Sequence, residues 1–234
     1  SEQEIGNYYK KTNNKIILIT KLSFKNSKSI INQYENSLKL LGYVPKIILA
    51  HSCKDYLNPN FHKEIKILKK KYLIKNLGVS LYSIKELEKI LKYKKPDFIQ
   101  IPLNLFDQRF LEKKILKKLK KNSIKIIGRS VFLQGLFFKD KSFIFKNFKN
   151  VKKNYTKLNE IAKEEKKSLG ELSLNWALNL KEIDKIIIGI DNLIHLKQNL
   201  KSLKKKINTK NIEKINNITL NENKIIKPYL WKIK

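Results

Sequence analysis

Residues 15–21 read KIILITK, which is the pattern of a short strand. Four apolar residues and a threonine lie between two lysines, so a strand over Lys15–Thr20 buries its middle and leaves Lys21 at its carboxyl end. Five later runs repeat this pattern. The predicted strands are Lys15–Thr20, Lys46–Ala50, Lys75–Val79, Asp97–Ile101, Ile124–Gly128 and Lys185–Gly189. Their nearly continuous Ile, Leu, Val and Phe content is typical of parallel strands with both faces covered.

Helical patterns lie between these strands, as expected for repeated βαβ units. Ser83 and Glu86 form a capping-box pattern, and Gly42 follows an amphipathic stripe that it should end. The chain also opens on SEQEIGNYYKK, which has the pattern of a helix. The predicted helices are Ser29–Leu41, Ser83–Leu91, Leu111–Lys121, Thr156–Lys166, Leu169–Leu180 and Ile194–Lys205.

The polar residues that follow the strands distinguish a barrel from an open, doubly wound sheet. A doubly wound sheet concentrates such residues at one switch point and usually has a glycine-rich first loop, but no GxGxxG or GxxxxGK[ST] motif occurs. Here nearly every strand carries polar residues at or near its end, as in barrel enzymes. These residues are Lys21, His51 with Ser52, Ser80, Gln100, Arg129 with Ser130, and Asp191. We therefore expect one barrel domain over residues 1–234.

The charge of the chain is extreme but not diagnostic. Its net charge is +32, yet only Arg109 and Arg129 among the 52 basic residues are arginine. Nucleic-acid readers favour arginine, so we expect solvated lysine-rich helix faces and no specific nucleic-acid partner. An anionic small molecule such as a nucleotide remains compatible. The single cysteine, Cys53, and the absence of a long apolar run predict a cytoplasmic protein without a membrane span. The histidines suggest no metal site.

Six stretches, taken in order, resemble the aldo-keto reductases, a family of NAD(P)-dependent carbonyl reductases with a (β/α)8 TIM barrel. They are ITK (19–21), ILAHS (48–52), LGVSLYSIKELEK (77–89), FIQIPLNLFDQRF (98–110), IIGRSVFLQGLF (126–137) and IIIGIDNLIHLKQNL (186–200). The resemblance covers essentially the whole chain and implies an α/β barrel of the aldo-keto reductase type, truncated to about six β/α units.

The start of the chain is similar to a later part of the family's pattern. In relatives the catalytic tyrosine and its glycine precede a stretch like SEEILGEYLKK, which SEQEIGNYYKK matches. The resemblance thus implies that the first two strands and the first helix, with the catalytic aspartate and tyrosine, are missing. Tyr8 and Tyr9 fall on the helix after that tyrosine, so neither is expected to be the acid.

Two residues match the family's remaining catalytic groups. Lys21 matches the lysine whose ammonium favours the tyrosinate, and His51 matches the histidine that orients the substrate carbonyl. Reduction of a carbonyl develops charge on its oxygen, which is why polar groups and a proton donor are needed there.

The resemblance also implies a site for NADP or NAD. Ser80 and Gln100 match groups that bond the nicotinamide carboxamide, whereas Leu81 replaces a usual asparagine. Arg129 replaces the tyrosine that commonly stacks on the nicotinamide. The positions beside the pyrophosphate are Ser130, Phe132 and Gln134.

The last strand–helix unit supplies the other nucleotide positions. Gly189 to Asp191 match a phosphate-facing turn, and Gln198 and Asn199 match positions near the adenine. His195 replaces an arginine that often holds the 2′-phosphate, and Asp191 adds negative charge, so the choice between NADP and NAD stays open.

The expected function is NAD(P)H-dependent reduction of a small-molecule aldehyde or ketone. RSVFLQG (129–135) is similar to a bacterial branch found among surface-polysaccharide genes, which suggests a carbonyl on a sugar. The alternative is a non-catalytic, cofactor-binding member of the same fold. The present chain is expected to show negligible carbonyl reduction and, with open strand edges, to be poorly stable or prone to associate.

Overall fold

The computed structural model describes residues 1–12, 16–24, 29–203, 206–218, 220 and 223–231. The chain divides into two compact units, Ser1–Gln100 with Lys118–Lys125, and Ile101–Lys117 with Ile126–Lys234. Each unit is α/β, with helices between parallel strands, as the sequence predicted. The single barrel domain stays a prediction.

The first unit contains a parallel sheet in chain order. Its elements are α1 (Glu2–Thr12), β1 (Ile19–Leu22), α2 (Ile30–Leu41), β2 (Ile47–Ala50), α3 (Cys53–Leu57), α4 (Pro59–Tyr72), β3 (Asn76–Ser80), α5 (Ile84–Tyr93) and the start of β4 (Phe98–Pro102). β1 pairs with β2, β2 with β3 and β3 with β4, all parallel. Every residue of β2 and β4 is buried, which explains their continuous apolar sequence.

The second unit is mainly helical. It contains most of β5 (Lys125–Arg129), then α7 (Lys141–Asn147), α8 (Lys152–Glu164), α9 (Leu169–Leu178), β6 (Lys185–Ile186), α10 (Leu193–Ser202), α11 (Thr209–Asn216) and α12 (Asn223–Ile226). The helix α6 (Lys113–Lys121) has residues in both units. β5 pairs with β6 in parallel. Trp176 is fully buried in this unit's core, and its indole Nε1 donates to Asn216 Oδ1 at 2.8 Å.

Two aspartates, each directly before a strand, form the same pair of hydrogen bonds with a residue of the neighbouring strand. The Asp97 amide donates to the Leu77 carbonyl at 2.8 Å, and the Leu77 amide donates back to Asp97 Oδ2 at 2.8 Å. Asp184 repeats this with Ile126, at 3.0 and 2.7 Å. Each aspartate therefore fixes the register at which β4 or β6 begins.

The first and last predicted strands have wrong bounds. Lys15 lies outside the described residues, and Ile16 and Ile17 are exposed and precede β1, which starts at Ile19. β6 ends at Ile186 instead of Gly189, and the segment after it makes only one further ladder bond, from the Ile187 amide to Gly128 at 2.8 Å. An apolar run alone does not form a strand where a neighbouring strand does not continue alongside it.

The predicted helix caps of α2 and α5 agree with the structure. Ser29 caps α2, Gly42 ends it in the left-handed conformation, and Ser83 with Glu86 forms the expected capping box on α5. The helix α4 was missed, although Asn58 caps it and Pro59 occupies its first turn, a standard start signal. Among the described helices, none is long and apolar enough to cross a membrane.

Candidate functional site

In the first unit, Lys21 lies on β1, and His51 directly follows the neighbouring strand β2. Lys21 is the third of the four residues of β1 and pairs in register with Leu49, so the prediction that it follows the strand is wrong. β1 runs one residue further because the His51 amide donates to the Leu22 carbonyl at 2.9 Å. Both the Lys21 and the His51 side chains are exposed. The structure thus brings these two chain segments together at the carboxyl edge of β1 and β2.

A buried carboxylate that sequence reasoning missed supports these strand ends. Asp55, in the first turn of α3, accepts hydrogen bonds from Ser23 Oγ at 3.1 Å and the Phe24 amide at 2.9 Å. Its other oxygen accepts from Ser52 Oγ at 2.6 Å. The available signal was Ser52 three residues before Asp55 at the start of a helix, a pattern typical of an N-cap.

Ser80 is the last residue of β3, and Gln100 lies within β4. The two residues are partners in the register of these strands. Both are buried, and the Leu81 amide donates to the Gln100 carbonyl at 2.8 Å, which carries the pairing past Ser80. Leu81 is also fully buried. The structure therefore places these two polar residues side by side, and their assignment to the nicotinamide carboxamide stays a prediction.

The Gln100 side chain fits the amide of a nicotinamide. Gln100 Oε1 is buried and has no hydrogen-bond partner among the described residues. Leaving such an oxygen unpaired costs about 1–3 kcal/mol, so buried orphans of this kind require a reason. A carboxamide NH2 is a donor of suitable chemistry, and Gln100 is one of the two residues that the resemblance assigns to that group.

In the second unit, the residues predicted to contact the nicotinamide ring and the pyrophosphate lie at the end of β5 and in the tight turn that follows it. Arg129 Nη1 donates to Ser130 Oγ at 3.1 Å, and the Arg129 carbonyl accepts from the Leu103 amide at 2.9 Å. Ser130, Leu133 and Gln134 all have positive φ (61°, 47° and 53°). Left-handed backbone costs a non-glycine residue about 1–2 kcal/mol, and such strain concentrates at ligand sites.

Phe132 and Gln134 differ in their surroundings. The Phe132 ring is half-buried and lies 5.1 Å from the Phe138 ring, whereas Gln134 is exposed. The turn itself is anchored because Ser173 Oγ donates to the Val131 carbonyl at 2.7 Å. The structure therefore holds the predicted pyrophosphate segment in a fixed shape.

The third group surrounds the start of α10. Asn192 caps this helix by accepting from the His195 amide at 2.9 Å, and His195 Nδ1 lies 3.8 Å from Asp191 Oδ2. A side chain at Gly189 would meet no atom within 4 Å, so the backbone there is open to a ligand. The free amides of a helix start attract anions, although Asp191 opposes this by its charge.

Gln198 and Asn199 lie further along α10. Gln198 is exposed and Asn199 half-buried, and the Asn199 carbonyl accepts from Ser202 Oγ at 2.8 Å. Both are therefore accessible on the same helix as His195.

Two tyrosines of the first unit, Tyr9 and Tyr56, are packed against other aromatic side chains. Tyr9 stacks on Tyr43 with centroids 4.8 Å apart, and its hydroxyl accepts from the Ile16 amide at 3.1 Å. Burial raises the pKa of Tyr56 well above its usual value, so its hydroxyl stays protonated. Burial likewise raises the pKa of the Cys53 thiol, which makes it a poor nucleophile. Within the described residues, no three His, Cys, Asp or Glu side chains are grouped to hold a metal.

Comparisons with known proteins agree on one family. The family model described as "Aldo/keto reductase family" matches residues 1–219. AKR11C1, an aldo-keto reductase of Bacillus halodurans in its holo form, superposes with a TM-score of 0.72 at 19% identity, covering 95% of this chain and 80% of that one. No curated protein matches the chain.

Two further structures have the same fold. A thermostable aldo-keto reductase, Tm1743, bound to the inhibitor epalrestat, gives a TM-score of 0.70 at 19% identity, with 93% of this chain and 77% of that chain covered. Aldose reductase of Giardia lamblia gives 0.68 at 18% identity, with 93% and 79% covered.

Proposed function

The chain belongs to the aldo/keto reductase family, and we propose that it serves the NAD(P)H-dependent reduction of an aldehyde or ketone. The observation that carries this proposal is the buried, unpartnered Gln100 Oε1 beside Ser80. A buried amide oxygen left without a partner at a strand end, beside a second buried polar residue, is more economically explained by a ligand than by packing.

The proposal assigns each group a separate task. Gln100 accepts an N–H of the nicotinamide carboxamide, and the Ser80 hydroxyl adds a second polar contact. Arg129 offers a planar cation for stacking, and Ser130, Phe132 and Gln134 border the pyrophosphate. The start of α10 holds the far end of the nucleotide, with Gly189, Asp191, His195, Gln198 and Asn199. Bound NAD(P)H supplies the hydride.

Lys21 and His51 are the proposed catalytic residues. His51 orients the carbonyl oxygen by a hydrogen bond, and the Lys21 ammonium favours negative charge on a neighbouring proton donor. We assign neither Tyr8 nor Tyr9 as that donor, because the resemblance places both on the helix that follows the catalytic tyrosine, and the Tyr9 hydroxyl and ring are already engaged. The expected result is cofactor binding with negligible turnover by this chain.

The sequence also bears on the substrate class, the cellular compartment and the choice of cofactor. The RSVFLQG form at residues 129–135 supports a carbonyl on a sugar in surface-polysaccharide synthesis. The buried free thiol of Cys53 suits a reducing compartment, the cytoplasm. The partner is a small carbonyl compound, with no specific nucleic acid and no membrane. Both NADPH and NADH are included: His195 in place of an arginine and the negative charge of Asp191 both weaken the case for a 2′-phosphate, but they do not decide between the two cofactors.

The test is isothermal titration calorimetry of the chain with NADPH and, separately, with NADH. We expect saturable one-to-one binding of at least one of them, and binding of neither contradicts the proposal. The alternative, a non-catalytic cofactor-binding member of the fold, makes the same prediction for binding. Reading the genomic DNA upstream for an in-frame aspartate and tyrosine ahead of Ser1 separates the two, because only the enzyme requires them.

A further inference from the structure

Asp55 is a buried carboxylate that none of the proposed catalytic or cofactor roles uses. It is 8% exposed and accepts three hydrogen bonds, from Ser23 Oγ, the Phe24 amide and Ser52 Oγ. A carboxylate is expensive to bury unless hydrogen bonds compensate it, and bonds to an ionised group are stronger than neutral ones. These three bonds therefore form a strong local constraint.

The groups that Asp55 holds belong to two different strand ends. Ser23 lies two residues after Lys21, and Ser52 directly follows His51. The strand ends are also joined directly, since the His51 amide donates to the Leu22 carbonyl at 2.9 Å. Asp55 thus spans the same two chain segments from the α3 side, with one oxygen on each.

A second side chain fixes the β1 end from the other direction. Gln33, on α2, accepts from the Ser23 amide at 3.3 Å and donates to the Ser23 carbonyl at 2.7 Å. The amide, carbonyl and hydroxyl of Ser23 are therefore all engaged by side chains. These bonds hold the backbone of Ser23 in one position. Because Lys21 lies two residues earlier, they also restrict the position of the Lys21 backbone, from which its long side chain extends.

We propose that Asp55 is a positioning residue that sets the placement of Lys21 relative to His51. This inference rests on the proposed function for those two residues. Asp55 acts only through Ser23, Phe24 and Ser52. Loss of Asp55 misplaces Lys21 and His51 but leaves Ser80 and Gln100 on β3 and β4 in place. Carbonyl binding is weakened as a result, because a displacement of about 1 Å is enough to spoil the geometry.

The experiment compares Asp55→Ala with a matched control, Glu64→Ala. Glu64 accepts hydrogen bonds of the same kinds, from Ser29 Oγ at 2.6 Å and the Ile31 amide at 2.9 Å, but at the start of α2. Ser23→Ala and Ser52→Ala each remove one hydroxyl partner of Asp55 and serve if Asp55→Ala does not fold.

Two readouts are taken on the whole chain. The first is amide hydrogen exchange at Phe24 and His51. The second is NMR of histidine labelled at Cε1, in which acetamide is titrated into the NADPH-loaded protein as a carbonyl compound that is neither reduced nor reactive with lysine. The chain has three histidines, so His62 and His195 are internal controls for His51.

We expect Asp55→Ala to raise exchange at Phe24 and His51 about tenfold or more, as the loss of a charge-assisted bond allows. It should also weaken the acetamide effect on the His51 signal several-fold with NADPH affinity unchanged, whereas Glu64→Ala does neither. If Asp55→Ala behaves like Glu64→Ala, or changes exchange without changing acetamide binding, Asp55 is only structural and the inference is wrong. A wild-type chain that binds neither NADPH nor acetamide overturns the proposed function instead, a result distinct from both.

Discussion

Ser80 and Gln100 are register partners on β3 and β4, and the buried Gln100 Oε1 has no hydrogen-bond partner in the described part of the chain. The unpaired oxygen should lower the stability of the fold, and it should also bind the cofactor. The two can be separated by one substitution.

Gln100→Leu should leave the free energy of unfolding unchanged or raise it by about 1 kcal/mol, because it removes an unsatisfied polar atom at similar volume. The same change should weaken NAD(P)H binding by about tenfold or more, since a buried hydrogen bond to the ligand is lost. Denaturant melts and calorimetric titrations measure the two effects.

The matched control is Gln108→Leu. Gln108 Nε2 donates to the carbonyls of Leu105, Ile215 and Ile218 at 3.0–3.2 Å, so its amide is well satisfied. Its replacement should cost about 1–3 kcal/mol of stability. A Gln100→Leu chain that is destabilised as much as Gln108→Leu, or that binds cofactor normally, contradicts the assigned role of Gln100.

Much of the fold could be predicted from local pattern. Ser83 with Glu86, and Ser29 with Gly42, mark helix ends because caps act over three or four residues of sequence. The inner strands were predicted within one residue because burial on both faces demands an apolar run. At β6 that reasoning overestimated the length, since strand formation needs a partner and not only apolar side chains.

The residues of the candidate site were harder to predict from the sequence than the helices and strands. Lys21, His51, Ser80 and Gln100 could be picked because each follows, or nearly ends, an apolar run. For Asp55 the N-cap pattern with Ser52 indicated only a helix start, because its bonds to Ser23 and Phe24 span more than 30 residues and leave no local pattern. Contacts of that range become visible only once the strands are placed side by side.

The reciprocal bonds of Asp97 and Asp184 should matter for stability. Replacing either by alanine leaves the amide of Leu77 or Ile126 without its carboxylate acceptor, so each change should cost about 1–3 kcal/mol. Asp140→Ala is the control, since Asp140 is exposed and makes no side-chain bond to the helix it precedes in the described structure. Urea unfolding of the three variants should place Asp140→Ala close to the wild type.

Self-association should follow from apolar side chains around β6 and α10. Ile187, Leu193 and Ile194 are 40%, 62% and 65% exposed, and repulsion between the highly positive chains opposes their contact at low salt. Raising the salt concentration screens the repulsion between chains of charge +32, so sedimentation velocity should show association that increases with salt.

The triple variant Ile187→Thr, Leu193→Gln, Ile194→Gln should reduce this association. Ile67→Gln changes another apolar residue, 52% exposed on α4, and should leave it unaltered. A wild-type chain that stays monomeric in high salt contradicts the prediction, as does equal association of the two variants.

Stability should fall in mild acid because of His62. Burial lowers the pKa of this histidine below its usual 6.5, and the short contact of its ring with the Tyr56 carbonyl offsets this only in part. The unfolded chain therefore binds the proton more readily than the folded one. The stabilising contribution is present above pH 6.5 and is lost as the pH falls towards the lower native pKa.

His62→Gln should remove this part of the pH dependence, so its unfolding free energy should decline less than that of the wild type between about pH 7 and pH 5. His195→Gln is the control, because that side chain is half exposed and should leave the wild-type slope in place. Thermal or urea unfolding across this range measures both. An unaltered slope in His62→Gln would show that another group, and not the ring packed against Tyr56 and Phe61, senses the acid.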